Sequence, residues 1–349
     1  MRQIFLLILP LILAFTVGAN PLEGRFNVVA IQAQVPLNVV ATTTILADVA
    51  QNIAGGLFTV RTLIPADTDP HAFEPSTETA ALIANADLVL AVGAGYEAFL
   101  ADLLVTVGEN IPTVFVSTGI EILPYGEHAH EDEGGATDEP DDEHLGVLGD
   151  TVECAAHEHH DEDEVEGEEE SGVCDPHVWQ DVANVILWAN NLADTFTALD
   201  PSNTEVYRAN ADAYIDQLAA LDAEIREMVS TIPEDRRVLV TNHDFMGYFA
   251  HAYAFEIAAT VLPGSATGSE IAPQELAALI ELVQTEGVPA IFAENTTNPQ
   301  FADLIAQEAG ISVVTTLYSD ALGGAESGAE TYIDMMRFNT QTIVEALGD

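Results

Sequence analysis

Lysine is absent from the 349 residues, and cysteine occurs only as Cys154 and Cys174. The eight basic residues are all arginine, set against 58 acids, for a net charge of -50. A chain this poor in cations should repel nucleic acid and anionic lipid surfaces and gather cations around itself, so no nucleic-acid partner is expected. Long apolar runs are scarce as well. One lies at 4–17, shorter than the roughly 20 residues a membrane-spanning helix requires, and no later stretch could span a bilayer. No cysteine stands directly behind that run, so attachment to a lipid there is not expected.

What stands at the start reads as a cleavable export signal: Arg2, the apolar run, and the small residues Val17, Gly18 and Ala19. This gives a signal peptide at 1–19, a linker at 20–36, and a mature chain expected to be a soluble monomer in the periplasm or otherwise outside the cytoplasm. About 330 residues remain, enough for two domains with substantial cores. In an oxidising compartment Cys154 and Cys174 are expected to form a disulfide closing a loop of about 20 residues, with two thiolate metal ligands as the rival reading. Of the 58 acids, 20 lie within 127–170, so the excess is partly local. High-salt adaptation would give the same overall balance, and charge alone does not choose between metal collection and solubility.

From 37 onward the chain alternates β-rich runs with helical patterns, the sign of parallel sheets covered by helices. Strands are expected at 37–43, 59–63, 88–92 and 113–116, with helices such as 45–53 and 77–84 between them. These form an N-terminal α/β lobe at 37–200. It carries an insertion at 127–172 that lacks apolar periodicity and holds His128, His130, His144, His157, His159 and His160. That tract reads as disordered or ordered by metal. Helix follows at 178–199. Asp200 and Pro201 then supply a cap and a first-turn proline for a long helix at 201–232, about 45 Å, which links the lobes. A C-terminal lobe at 233–349 repeats the alternation, with strands at 237–241, 257–262, 290–293 and 312–316 and helices at 273–285, 299–308 and 331–346. No sequence repeat relates the two lobes.

Asp-Pro-His occurs twice, as Asp69-Pro70-His71 and Asp175-Pro176-His177. Proline stiffens the backbone ahead of an imidazole, and imidazole nitrogen suits zinc, copper, nickel and iron. In open α/β sheets ligands bind beyond the carboxyl ends of the strands. His71 follows the second strand, His243 follows 238–241, Asp320 follows 313–316, and His177 precedes a helix in the first lobe. Three imidazoles and one carboxylate suit four-coordinate zinc and leave little room for reactive water, which favours binding over catalysis. Manganese would draw more carboxylates and a coordination number near six. His243 could instead cap the helix after it, and Asp320 could be a turn aspartate. Glu294, closing the strand at 290–293, stays outside the ligand set as a structural carboxylate or a hydrogen-bond partner of a ligand histidine. His251 reads as an ordinary helix residue.

The segments DPHAFEP, DPHVWQD, HDFMGYF at 243–249, IFAEN at 291–295, and LYSDALG followed by TYIDMMRFNT occur in this order. In these the chain resembles the zinc- and manganese-type substrate-binding proteins of ABC importers, over nearly everything after about residue 37. The resemblance implies two α/β lobes joined by a long rigid helix, with metal in the cleft on His71, His177, His243 and Asp320. It also implies delivery to a membrane permease driven by an ATPase, and no enzymatic activity. Manganese-type members usually carry glutamate at the third ligand position, so His243 favours zinc. The acidic tract looks like the loop of zinc-type members that gathers metal near the cleft, although it is more acidic than histidine-rich. The alternatives are a manganese or dual-metal receptor, a zinc hydrolase with an open coordination site, and a metal-buffering adhesin.

Overall fold

The computed structural model describes residues 36–66, 68–108, 111–125, 174–262, 271–296 and 299–348. The first lobe is a parallel four-stranded sheet of β1 (Val39–Ala41), β2 (Val60–Thr62), β3 (Leu88–Ala91) and β4 (Thr113–Phe115), in the order β2-β1-β3-β4. Both central strands are buried at every position, because helices cover both faces of a parallel sheet. The helices start where the sequence provides caps. Thr43 accepts the amide of Leu46 to open α1 (Thr44–Ala54), and Ser76 with Thr79 forms a reciprocal capping box for α2 (Thr77–Ala84). α3 (Leu100–Val107) completes the lobe's outer layer.

After a 3-10 turn at Val178–Gln180, Asp181 caps α4 (Val182–Leu199) through the amide of Ala183. A second such turn at Pro201–Asn203 leads into α5 (Thr204–Val229), 26 residues or about 39 Å long. Its buried residues Tyr207, Ala211, Tyr214, Leu218, Leu221, Ile225 and Val229 recur every three or four positions, a single apolar stripe. α5 packs against α4, α1 and the last helix of the chain.

The second lobe comprises β5 (Val238–His243), α6 (Gly247–Tyr253), β6 (Glu256–Leu262), α7 (Pro273–Glu286), β7 (Ala290–Glu294), α8 (Gln300–Ala309), β8 (Ser312–Leu317) and α9 (Tyr332–Leu347). Its parallel strands lie in the order β6-β5-β7-β8. The two sheets therefore use the same permutation of strands, a repeat of topology that the sequence does not display. Strand order reverses between β1 and β3 in one lobe and between β5 and β7 in the other, and each reversal opens a crevice at the carboxyl ends. One apolar cluster runs through both lobes, from Val39 and Leu46 through Trp188, Leu218 and Ile225 to Phe249, Tyr332 and Met335.

Buried and half-buried polar bonds join the lobes. Trp179 Nε1 donates to the Ser319 carbonyl at 2.9 Å, and the Tyr332 hydroxyl donates to the Trp179 carbonyl at 2.8 Å. Thr44 Oγ1 accepts the amide of Leu322, and Asp48 accepts that of Tyr332, both at 2.9 Å. The Tyr248 hydroxyl accepts the Leu123 amide at 2.9 Å and donates to the Asp175 carbonyl at 3.2 Å.

Candidate metal centre

The two Asp-Pro-His tripeptides fold alike. In each, the aspartate Oδ1 accepts the histidine amide two residues on, Asp69 from His71 and Asp175 from His177, both at 2.9 Å. Such a turn is what a short side-chain acceptor before proline produces, and it aims the imidazole away from its own backbone. The second copy goes further, since Asp175 Oδ1 also lies 2.7 Å from His177 Nδ1. In the second lobe β5 ends on His243, whose amide donates to Glu294 Oε1 at 3.1 Å and whose Nδ1 stands 2.6 Å from Glu294 Oε2. Asp320 lies three residues beyond β8. Its turn is fixed by the buried Asn339 of α9, which accepts the Tyr318 amide at 2.9 Å and donates to the Tyr318 carbonyl at 2.7 Å.

These arrangements bring His71, His177, His243 and Asp320 together, each offering one atom within 4.8 Å of the others. The Nε2 of His177 is 3.3 Å from the Nε2 of His71 and 3.3 Å from that of His243. Asp320 Oδ1 lies 3.2 Å from His177 Nε2 and 3.8 Å from His71 Nε2, and Oδ2 lies 3.6 Å from His243 Nε2. His177, His243 and Asp320 are buried and His71 half-buried. A carboxylate stands behind the Nδ1 of both His177 and His243, and the Nε2 of each ring faces the shared centre. Aromatic rings wall the site: Tyr96 lies edge-on to His71 and to Trp179, and Phe245 stacks on His243.

Burial, partly offset by Asp320, pushes His71 down to about 4. Burial acts on His177 in the same sense, but the hydrogen bonds and charges of Asp175 and Asp320 outweigh it and raise that imidazole to about 10. His243 is raised too, against its burial, by Glu294 and Asp320. Asp320 is held well below the usual carboxylate range, where the three imidazoles overcome desolvation. A metal that takes the Nε2 of His177 displaces the proton that Asp175 and Asp320 favour on that ring. Three converging imidazole nitrogens and a carboxylate are a donor set that fits a divalent transition metal.

Among the described residues no other such group of potential ligands occurs. His251 is exposed on α6. His128, His130, His144, His157, His159 and His160 lie outside the described residues, as do Cys154, the signal peptide and all but the last residue of the linker. The position of Cys174 pairs with Pro124 in an antiparallel bridge. Several residues that shape the centre escaped the sequence reading: Asp175, Asn339, and Gly247 at the start of α6. A Cβ on Gly247 would stand 2.5 Å from Asp175 Oδ2. Only the aspartate in Asp-Pro-His carried a local signal, two residues before its histidine.

The sequence profile of the zinc-uptake complex component A, periplasmic (ZnuA) family matches residues 39–346. The chain belongs to that family. Membership makes it a metal-binding receptor of an ABC importer, with a membrane permease as partner, in a family of receptors and not of catalysts. Among ZnuA relatives, the chain is 30% identical to "Manganese-binding lipoprotein MntA" of Halalkalibacterium halodurans, over 89% of this chain and 88% of that one. It is 28% identical to "Metal ABC transporter substrate-binding lipoprotein ScbA" of Streptococcus cristatus, over 89% of each. Its fold is similar to that of the periplasmic zinc binding protein TroA from Treponema pallidum, with a TM-score of 0.71 and 28% identity, covering 89% of this chain and 99% of that one.

These relatives correct one expectation. The missing cysteine behind the apolar run suggested a soluble periplasmic protein without a lipid anchor. MntA and ScbA are both named lipoproteins, and each aligns over 89% of the chain. Receptors of this kind include lipid-anchored ones, so a location free in the periplasm does not follow from that missing residue.

Proposed function

We propose that this ZnuA-family receptor takes zinc as its cargo, holds it on His71, His177, His243 and Asp320, and delivers it to the importer's permease. The observation that carries this reading is the spacing of the four donors. Ligands about 2.0–2.1 Å from a tetrahedral zinc ion stand roughly 3.3 Å apart along each edge. The closest edges here are 3.2, 3.3 and 3.3 Å, and the two longer contacts of Asp320 are 3.6 and 3.8 Å. The imidazole of His243 at the third position adds to the preference for zinc over a cation that favours oxygen. Four protein ligands fill the positions of zinc and leave none for an attacking water, which suits carriage over hydrolysis. Manganese is the second reading, favoured by the name of MntA and by the two oxygens that Asp320 turns toward the imidazoles.

In the same reading the histidines of 127–172 form accessory weak sites that raise the local concentration of metal, and a Cys154–Cys174 disulfide tethers the tract just ahead of His177. Competition between zinc and manganese on the purified, metal-stripped protein tests the proposal. Zinc retention with a single tight site is expected. Preferential retention of manganese in the presence of zinc would replace the cargo, and unchanged affinity in His71→Ala, His177→Ala or His243→Ala would remove that residue from the set.

A further inference from the structure

We infer that Ser319 is a positioning residue that decides how many oxygens of Asp320 a bound cation receives, and through that the preference between zinc and manganese. The inference rests on the zinc reading above and concerns the same centre. Ser319 is fully buried, and its hydroxyl donates to Asp320 Oδ2 at 2.9 Å. With that proton committed, Ser319 Oγ accepts from Thr296 Oγ1, 3.2 Å away, giving a short chain of donors that ends on the carboxylate.

The hydroxyl falls on the oxygen that matters. Oδ1 lies 3.2 Å from His177 Nε2 and 3.8 Å from His71 Nε2, whereas Oδ2 lies 3.6 Å from His243 Nε2. Both oxygens are therefore within reach of a cation at the centre of the imidazoles. A charge-assisted hydrogen bond draws electron density from Oδ2 and occupies one of its lone-pair directions, which leaves Oδ1 as the stronger donor. One oxygen plus three imidazoles makes the four-coordinate set of zinc, while two oxygens add the fifth ligand that a larger, oxygen-preferring ion such as manganese accepts.

The backbone of Ser319 is held independently of its side chain. Its carbonyl accepts from Trp179 Nε1 at 2.9 Å and from Gln180 Nε2 at 3.3 Å, two residues that closely follow His177. Removing the hydroxyl therefore leaves the turn anchored and changes chiefly what Oδ2 is free to do.

The test compares the full-length protein with Ser319→Ala, Ser319→Thr and Thr296→Val, each checked for folding by circular dichroism. Two readouts are taken: zinc and manganese affinities by competition, and the visible absorption of the cobalt(II)-loaded protein, whose intensity falls as coordination rises from four to five. Wild type is expected to give the strong four-coordinate cobalt spectrum. Ser319→Ala should weaken it and narrow the zinc-to-manganese affinity ratio about tenfold, the scale of one hydrogen bond to a charged group. Ser319→Thr should restore both, and Thr296→Val should shift both in the same direction by less. A folded Ser319→Ala with the wild-type spectrum and ratio overturns the inference, as does a Ser319→Thr that behaves like Ser319→Ala. If Ser319→Ala does not fold, Thr296→Val decides in its place, and wild-type values there overturn the inference. A wild-type protein whose cobalt is already five-coordinate overturns the zinc reading itself, and this inference with it.

Discussion

Gly247→Ala should weaken metal binding although residue 247 touches no metal. By helix propensity alone the change is favourable, since alanine is preferred to glycine within a helix by up to about 1 kcal/mol. The new Cβ would instead stand 2.5 Å from Asp175 Oδ2, about 1 Å inside ordinary contact. The carboxylate has nowhere to turn cheaply, because its Oδ1 already accepts from the amide of His177 at 2.9 Å and faces His177 Nδ1 at 2.7 Å. Moving Oδ2 swings Oδ1 away from at least one of these. A hydrogen bond to a charged group contributes about 1.5–3 kcal/mol, and loss of the carboxylate behind a metal-binding imidazole typically costs about ten- to a hundredfold in affinity. The assay is zinc titration against a competing chelator, with Gly324→Ala as the control, since a Cβ there meets nothing within 4 Å. A folded Gly247→Ala protein with the affinity of wild type would refute the reasoning.

Other perturbations probe the same centre from different sides. Asp175→Asn and Glu294→Gln should each lower zinc affinity by about ten- to a hundredfold with the fold intact, and calorimetric titration showing no change would detach these carboxylates from the function. Asp175 and Asp320 raise His177 to about 10, so that ring carries an extra proton at neutral pH in the metal-free protein and binding must expel it, while Glu294 and Asp320 shift His243 in the same direction. Zinc affinity should therefore rise with pH up to about 10 and fall in acid, ending near pH 4, where His71 also becomes charged. Binding heats that do not depend on the ionisation enthalpy of the buffer would contradict this. Deleting 127–172 should abolish the weak additional sites and keep one tight site, and equilibrium dialysis that finds the tight site lost would make the tract part of the primary cage.

The sheets were readable because parallel strands buried on both faces appear as short apolar runs, as at 88–91 and 290–294. The four residues singled out for the site were readable because strand ends and a repeated tripeptide mark them locally. What stayed hidden acts across long stretches of chain. Gly247 matters through Asp175, and the carbonyl of Ser319 is held by Trp179, 140 residues away. Neither relation leaves a pattern within one segment. The shared strand order of the two lobes was hidden for another reason, since parallel α/β topology requires only that apolar runs alternate with helices and leaves the residues free to diverge.

The apolar cluster that runs unbroken through both lobes has a kinetic consequence. Swinging the halves apart about α5 would strip partners from Phe249, Tyr332 and Met335 and break the Trp179–Ser319 and Tyr332–Trp179 bonds in the same movement. Wide opening would therefore carry a cost beyond the breaking of metal–ligand bonds, and under the proposed function that cost would lengthen the dwell time of the cargo.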